Sequence, residues 1–276
     1  MKDIIHFAHA NSFPASVYRR MLEGLATRYR VGYLDTIGHD PAYPVTDCWP
    51  HLVDESIHYI ERHYDRPVVA VGHSLGGYLM TYAALRRPEL FRALVVLDSP
   101  LMGPFRSRAI WLAKRLGFID RITPGGNTLK RRDRWASVEM VREYFARKPM
   151  FARFHPDCLS DYALQGTEPL AEGGRRLKFR PEVEYAIYRG LPHDLPRYRG
   201  QLKVPGLFIA GTATDVVRPD DLNFIAKYFG LRILHQPGTH LFPLEQPDET
   251  ARRILEGLDA LFAGLAPACA SANPVR

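Results

Sequence analysis

Short apolar runs alternate with longer amphipathic stretches along most of the chain. The apolar runs predict strands, and they lie at about residues 4–8, 31–34, 68–71, 94–97, 207–210 and 231–234. The stretches between them predict helices, at about residues 14–29, 49–64, 76–87, 219–229 and 247–264. Most strand runs are continuously apolar, which is typical of a sheet covered by helices on both faces. The alternation therefore predicts an α/β fold with a mainly parallel sheet.

The alternation stops at Pro100 and resumes at Val204. Residues 101–200 are helix-prone, rich in arginine and aromatic side chains, and interrupted by Pro and Gly. We interpret them as a helical insertion between two strands of a single core domain. That core comprises residues 1–100 and 201–265.

The composition excludes several classes of protein. Of the 276 residues, 46% are apolar and 24% charged, and no apolar run approaches the roughly 18 residues of a membrane helix. The N-terminus leads almost directly into a strand, which predicts no secretory signal. Cys48, Cys158 and Cys269 are odd in number and far apart, which argues against a disulfide framework or a zinc site and favours a cytoplasmic location.

Residues 266–276 offer little apolar surface to bury and predict a flexible tail.

The positive charge is concentrated in the insertion. The chain carries a net charge of +7, whereas residues 101–200 alone hold 20 Lys and Arg against 11 Asp and Glu. One interpretation is an arginine-rich solvated surface, and the other is a positive field that attracts anionic substrates or a membrane surface. The basic run at residues 130–134 has no accompanying nucleic-acid motif, so a nucleic-acid partner is not expected.

The pentapeptide Gly72-His73-Ser74-Leu75-Gly76 lies between a predicted buried strand and a predicted helix. A G-x-S-x-G sequence in that position is typical of a nucleophile elbow, a turn so sharp that only small neighbours fit. The helix that follows turns its free N–H groups and positive dipole end towards developing negative charge. Ser74 is therefore the candidate nucleophile.

A serine nucleophile needs a base, and the base needs an orienting acid. In enzymes with this elbow the order along the chain is serine, acid, histidine. Asp215 follows a predicted strand and is the expected acid, although Asp98, at the end of an earlier strand, is an alternative. His240 follows a glycine-containing turn after the last predicted strand and is the expected base.

Two backbone N–H groups are needed to stabilise the oxyanion of a tetrahedral intermediate. The residue after the nucleophile, Leu75, provides one of them. The other is expected in the loop after the first strand, from Asn11, with Ser12 as the alternative. His9 is expected to brace this loop.

Together these segments resemble the α/β-hydrolase superfamily, specifically its compact capped branch. The segments that carry the resemblance are H-A-N-S-F-P from residue 9, G-H-S-L-G-G from residue 72, A-G-T-A-T-D from residue 210 and G-T-H-L-F-P-L-E-Q-P from residue 238. The resemblance implies an α/β-hydrolase fold in which the two usual leading strands are missing, leaving about six parallel strands flanked by helices. It implies no metal or organic cofactor.

An insertion at residues 101–200 would lie at the catalytic edge of such a sheet. We therefore expect a mostly helical cap, or lid, over Ser74, with the strands before and after it adjacent in space. The aromatic side chains of this segment are too many for an exposed surface. Some are expected to pack on the core and some to line an acyl pocket; they include Trp111, Phe118, Trp135, Tyr144, Phe145, Phe151 and Phe154.

The expected function is a serine hydrolase that cleaves a carboxylic ester through an acyl-enzyme. The expected substrate is a small acyl-bearing molecule. A thioesterase acting on an anionic acyl donor such as acyl-CoA and a C–C bond hydrolase are alternatives. A ligand-binding receptor with a vestigial site is a further alternative, which the complete set of catalytic parts argues against. Dehalogenases and epoxide hydrolases of the superfamily attack with an aspartate, so Ser74 favours acyl chemistry instead.

Overall fold

A six-stranded, wholly parallel sheet forms the centre of the computed structural model, which describes residues 2–265. Its strands are β1 (Ile4–Ala8), β2 (Arg30–Tyr33), β3 (Val68–His73), β4 (Phe91–Leu97), β8 (Gly206–Gly211) and β9 (Arg232–Gln236). The helices around it are α1 (Arg19–Ala26), α2 (Pro50–His63), α3 (Leu75–Arg86), α10 (Pro219–Phe229), α11 (Phe242–Glu245) and α12 (Pro247–Leu265). The parallel α/β sheet of about six strands predicted from the apolar runs is confirmed.

Alternate residues of each strand enter different halves of the core. In β3, Val68 and Ala70 pack with side chains of α2, α3 and α10, whereas Val69 and Val71 pack with side chains of α1 and α12. Successive side chains of a strand point to opposite faces, so a strand covered on both sides must be apolar throughout. This is why the strands read as continuous apolar runs in the sequence.

The order of strands places a crevice above the centre of the sheet. Along the sheet the order is β2-β1-β3-β4-β8-β9, so the chain moves outward in one direction after β1 and in the other direction from β3 onward. Ligand sites of open α/β sheets lie at such a reversal, beyond the carboxyl ends of the strands. The two loops expected to carry catalytic groups, after β1 and after β3, meet there.

The segment at residues 101–200 lies between β4 and β8, which pair directly in parallel. Its helices are α4 (Pro104–Arg115), α5 (Ile119–Ile122), α6 (Gly125–Thr128), α7 (Val138–Ala146), α8 (Pro156–Gln165) and α9 (Pro181–Arg189). A small antiparallel sheet accompanies them, formed by β5 (Arg134–Trp135), β6 (Thr167–Pro169) and β7 (Arg175–Leu177). These strands of two or three residues are too short to produce a recognisable apolar run, so the sequence did not predict them.

Aromatic side chains join this segment to the core. The ring of Phe13, in the loop after β1, lies 5.5–6.1 Å from the rings of Phe151, Phe154 and Tyr162. All four side chains are buried. Trp111, in contrast, is 47% exposed, so it is not among the side chains that pack on the core.

None of the helices within residues 2–265 combines the length and apolar character that crossing a membrane requires. The flexible tail predicted for residues 266–276, and with it Cys269, lies outside the described residues.

Candidate active site

Ser74 occupies a strained turn between β3 and α3. Its backbone angles are φ 52° and ψ −112°, a conformation that non-glycine residues rarely adopt. Hydrogen bonds hold the turn on both sides: the Ser74 N–H donates to the Leu97 carbonyl at 3.0 Å, and the Ser99 hydroxyl donates to the Ser74 carbonyl at 2.6 Å. The side chain is thereby held above the end of the strand.

The two glycines of the pentapeptide are required by close packing. A Cβ atom on Gly72 would overlap the backbone of Gly76, and a Cβ atom on Gly76 would overlap the carbonyl group of Ala8 in β1. Backbone atoms of a central strand cannot move aside as a flexible side chain can. The sharp turn predicted from these glycines is therefore what the structure contains.

His240 lies between Ser74 and a buried carboxylate. Its Nε2 atom is 3.0 Å from the Ser74 hydroxyl oxygen, and its Nδ1 atom is 2.8 Å from Oδ2 of Asp98. Both distances are within hydrogen-bond reach, and Asp98 has no exposed surface. A hydroxyl, an imidazole and a carboxylate thus lie in one line of hydrogen bonds, the order that a nucleophile, a base and an orienting acid require.

The prediction that Asp215 orients His240 is wrong in this structure, because the alternative, Asp98, makes that hydrogen bond. Asp98 follows β4, the strand next to the one that carries Ser74, and so starts beside the nucleophile. Its carboxylate also accepts hydrogen bonds from the Gly211 N–H at 2.7 Å and the Thr214 hydroxyl at 2.6 Å. Three donors therefore satisfy this buried group.

Asp215 is exposed and lines the wall of the cavity above Ser74 instead. After β8 the backbone turns towards β9, because the Thr212 N–H donates to Gln236 and the Ala213 N–H donates to Gly238, each at 2.9 Å. This turn brings the side chain of Thr214, rather than that of Asp215, to the buried carboxylate.

A second histidine supports the backbone of the first. His73 Nε2 donates to the carbonyl of His240 at 2.9 Å, and His73 Nδ1 accepts from the Tyr18 hydroxyl, 2.8 Å away. A carbonyl can only accept, so this pairing fixes the tautomer. Burial, with a smaller contribution from nearby His240, holds the pKa of His73 well below its ordinary value. His73 is therefore a neutral structural support.

Leu75 and Asn11, the residues predicted to donate backbone N–H groups to an oxyanion, both line the cavity above Ser74. Leu75 begins α3 directly after Ser74, and Asn11 lies in the loop after β1. Among residues 2–265, no protein acceptor is bonded to either N–H, and both residues line the cavity. His9 braces their surroundings: its Nδ1 donates to the Ala10 carbonyl and its Nε2 accepts from the Ile37 N–H, both at 2.8 Å.

A cavity of about 1090 Å³ opens above Ser74 and His240. Its wall is mainly apolar and aromatic, and residues 101–200 supply much of it, including Tyr144, Phe145 and Phe151. This volume, just above the range of about 300–1,000 Å³ for ordinary ligand pockets, accommodates a sizeable organic substrate. Ser74 and His240 therefore lie at the bottom of an apolar chamber.

Cationic side chains lie on one side of this chamber. Arg132 and Lys148 are exposed, line the cavity and lie over the Tyr144 ring, with the Arg132 Cζ atom 5.6 Å and the Lys148 Nζ atom 4.8 Å from its centroid. Within the described part of the chain, neither forms an ion pair with a carboxylate. Arg153, by contrast, pairs with Glu245 at 3.0 Å.

In the described residues, one group of side chains has the spacing of metal ligands: the candidate ligand atoms of Asp47, Cys48 and His193 lie within 4.8 Å of one another. The Lys114 ammonium group already pairs with Asp47 and lies 3.3 Å from His193 Nδ1. Burial raises the pKa of the Cys48 thiol to about 11. A cation in place and a protonated thiol do not suit a divalent metal ion.

Comparison with known proteins agrees with this geometry. A family model described as the alpha/beta hydrolase family matches residues 7–253. The chain belongs to the alpha/beta hydrolase family. The resemblance found in the catalytic segments is thereby confirmed for the fold and the family.

Individual relatives within the alpha/beta hydrolase family match less of the chain. A pimeloyl-(acyl-carrier protein) methyl ester esterase of Chromobacterium violaceum is 34% identical over 95 residues, which is 33% of this chain and 35% of that protein. Ethanol acetyltransferase 1 of Kluyveromyces lactis is 23% identical over 221 residues, which is 74% of this chain and 58% of that protein. The chain thus spans 35% and 58% of the lengths of these curated relatives.

Among solved structures, that of E-2-(acetamidomethylene)succinate hydrolase has a TM-score of 0.75 with this alpha/beta hydrolase at 21% identity, covering 94% of this chain and 92% of that one. At this level of identity, the similarity concerns the fold.

The structure places Ser74, Leu75, His240 and Asn11 at one cavity, and it puts Asp98 rather than Asp215 against His240. Sequence reasoning missed the supporting residues His73 and Thr214 altogether. His73 stands inside the pentapeptide, where its place next to the nucleophile was a usable signal. Thr214 carried no such signal, because its role depends on how the loop after β8 turns.

Proposed function

We propose that this alpha/beta hydrolase is a serine esterase that cleaves carboxylic esters through an acyl-enzyme. The observation that carries the proposal is the pair of hydrogen bonds that joins Ser74 through His240 to the buried Asp98, 3.0 and 2.8 Å long. A serine hydroxyl is a weak nucleophile, and this arrangement is the one that activates it.

In the proposed reaction the Ser74 hydroxyl oxygen attacks the ester carbonyl while its proton moves to Nε2 of His240. The carbonyl oxygen becomes an oxyanion, which the N–H groups of Leu75 and Asn11 stabilise. His240 then gives the proton to the alcohol that leaves, and the acyl group remains on Ser74. A water molecule, deprotonated by His240, attacks the acyl-enzyme, and His240 returns that proton to the Ser74 oxygen as the acid is released.

Asp98 has two tasks in this scheme. It accepts from Nδ1 of His240, which keeps Nε2 unprotonated and facing the nucleophile. It also stabilises the imidazolium that forms after proton transfer. The Gly211 N–H and the Thr214 hydroxyl keep the carboxylate in the orientation that both tasks need.

We further propose that residues 101–200 act as a cap that forms the acyl chamber. The apolar and aromatic wall suits the hydrocarbon part of an ester, and excluding water from it strengthens the interactions around Ser74. The name of the Chromobacterium violaceum relative, a methyl ester esterase, is in keeping with an ester substrate.

A thioesterase acting on an anionic acyl donor is the second candidate. Arg132 and Lys148 favour it, because two cations without a carboxylate partner in the described chain lie at the wall of the chamber. An acyl donor with a phosphate or carboxylate group would place that group between them. The same triad would act on the thioester carbonyl.

Turnover of a matched substrate series tests the proposal. We would measure kcat/KM on p-nitrophenyl esters of increasing acyl length and on acyl-CoA thioesters of the same acyl groups. Hydrolysis of the esters, lost in Ser74→Ala, supports the esterase. A kcat/KM higher on the thioesters by an order of magnitude would favour the thioesterase, and hydrolysis undiminished in Ser74→Ala would refute both.

A control variant keeps this experiment interpretable. Ser160 lies on α8, and its hydroxyl donates to the Pro156 carbonyl at 2.9 Å, on an exposed surface. Ser160→Ala is therefore a matched removal of a serine hydroxyl away from the chamber. It should hydrolyse the whole series as the wild type does.

A further inference from the structure

A largely buried ion pair of the 101–200 segment lies against the loop that carries Asn11. Arg131, in the turn before β5, forms an ion pair with Glu184 of α9. The two side chains are only 22% and 8% exposed. Buried charges are costly unless they are paired and hydrogen-bonded. Each of these two side chains therefore needs hydrogen-bond partners in addition to the other.

Both members of the pair bond to the loop after β1. Arg131 Nη1 donates to the Ser12 hydroxyl at 2.8 Å, while its Nη2 donates to the Tyr162 hydroxyl at 3.1 Å. The backbone carbonyl of Glu184 accepts from Nδ2 of Asn11 at 3.2 Å. Two consecutive loop residues are thus attached, one to each partner.

The attached stretch is conformationally strained. Ser12 has φ 76°, in the left-handed region that costs a non-glycine residue energy. A strained backbone keeps its conformation only where its surroundings hold it. The hydrogen bond that Arg131 donates to its hydroxyl is one of the contacts that hold the Ser12 side chain in place.

We infer that Arg131 and Glu184 are positioning residues that hold the Asn11–Ser12 stretch so that the Asn11 N–H points at the oxyanion; this rests on the function proposed above. The pair belongs to the segment that covers the chamber, whereas the N–H belongs to the core. Correct placement of the cap is thereby coupled to the completeness of the oxyanion hole.

The hydrogen-bond and ion-pair partners of Arg131 separate this role from substrate binding. Its guanidinium group already has a carboxylate partner and two hydroxyl acceptors, all from the protein. Arg132, its neighbour in sequence, has no carboxylate partner among the described residues. Arg132 is therefore available to bind an anionic substrate, whereas Arg131 is already paired with Glu184.

The experiment uses three small changes and a neutral substrate. Ser12→Ala removes the hydroxyl acceptor, Arg131→Lys keeps the charge but loses the fork that bonds several partners, and Glu184→Gln removes the carboxylate charge. Each variant is assayed for kcat and KM on a neutral p-nitrophenyl ester and for its rate of phosphonylation at Ser74 by a neutral fluorophosphonate. Thermal melting shows whether each variant is folded.

We expect kcat and the phosphonylation rate to fall together, by about 10-fold to 100-fold, while KM stays within about twofold; complete loss of an oxyanion donor costs about 10²–10³ in kcat. A loss of fold alone would not produce this split in a variant that melts like the wild type. Because Ser12 and Arg131 act through one hydrogen bond, the double variant Ser12→Ala/Arg131→Lys should lose little more than the worse single variant.

Matched controls are Arg134→Lys and Glu172→Gln. These two residues form an exposed ion pair of 3.4 Å in the same segment, with exposed fractions of 61% and 65%. Neither lines the chamber above Ser74. Both control variants should keep the wild-type kcat and labelling rate.

Two results would overturn the inference. If Arg131→Lys raises KM for the neutral ester and leaves kcat unchanged, Arg131 binds substrate. If folded Ser12→Ala and Arg131→Lys proteins both react at the wild-type rate, the pair has no positioning role, although the proposed function stands. Failure of the wild type to be labelled at Ser74 is a different outcome, which refutes the proposed function itself.

Discussion

His240 Nδ1 lies 2.8 Å from the carboxylate of Asp98, a residue that belongs to the strand end next to Ser74. The acid of the proposed triad thus comes from the loop after β4 and not from the loop after β8. The loop after β8 contributes the Thr214 hydroxyl, which donates a hydrogen bond to the Asp98 carboxylate.

The acid can be identified by comparing two Asp→Asn variants. Asp98→Asn should lower kcat by about 10⁴, because an amide favours the wrong tautomer of His240. Asp215→Asn, on the exposed wall of the same chamber, should have a far smaller effect. Steady-state kinetics on a p-nitrophenyl ester measure both, and a larger loss in Asp215→Asn would restore the assignment made from the sequence.

The tight contact at Gly76 predicts a large cost for a single methyl group. In Gly76→Ala the new Cβ would overlap the backbone of Ala8, so β1 or α3 has to move. We expect a loss in free energy of unfolding of about 3 kcal/mol or more, beyond the 0.5–3 kcal/mol of ordinary substitutions. Urea unfolding measures it.

The control is Gly264→Ala, near the end of α12, where a Cβ would meet no atom within 4 Å. That substitution should stabilise the protein slightly, since alanine favours a helix by about 1 kcal/mol over glycine. An equal response of the two variants would mean that the elbow tolerates a side chain.

The free energy of unfolding should fall as the pH is lowered, because His9 is buried. Burial lowers the pKa of His9 to about 4, from 6.5. As the pH falls, His9 therefore takes up a proton in the unfolded chain before it does so in the folded protein. The stability that depends on a neutral His9 is complete above pH 6.5 and is lost between about pH 6.5 and about pH 4. The loss is on the order of 3 kcal/mol, from the difference between the two pKa values.

Urea unfolding of the wild type and of His9→Asn at several pH values between 7 and 4 checks this. The variant should show a shallower decline over that interval. His51→Asn, at a side chain that is 45% exposed, is the control and should decline as the wild type does. Parallel curves for wild type and His9→Asn would contradict the assignment.

The two cations over Tyr144 predict a response to ionic strength. For an anionic ester, kcat/KM should fall as salt rises, and Arg132→Gln or Lys148→Gln should each lower it by roughly fivefold, as expected for an exposed charge pair of up to about 1 kcal/mol. A neutral ester of the same size should respond less. Equal salt responses for the two esters would show that these cations are not used for substrate capture.

The sequence was sufficient for the sheet because both faces of its strands are covered. Val68–Val71 had to be apolar throughout, and the alternation of such runs with helices left one arrangement. The candidate nucleophile was equally readable, since Gly72 and Gly76 surround Ser74 at fixed spacing. The histidine followed from its place after the last strand.

The acid could not be decided in the same way, because Asp98 and Asp215 both follow strands of the sheet. The choice depends on the path of four residues after Gly211, which is set by hydrogen bonds to Gln236 and Gly238. The pairing of Arg131 with Glu184 was also unreadable. These residues are far apart in the chain, and only the packing of residues 101–200 brings them to Ser12.

The most direct test of the proposed nucleophile is the mass of the protein after reaction with a fluorophosphonate. We expect one phosphonyl group per chain, on the peptide that contains Ser74, and no labelling of Ser74→Ala under the same conditions. Stoichiometric labelling of Ser74→Ala, or a wild-type protein that hydrolyses esters with Ser74 unlabelled, would show that Ser74 is not the nucleophile.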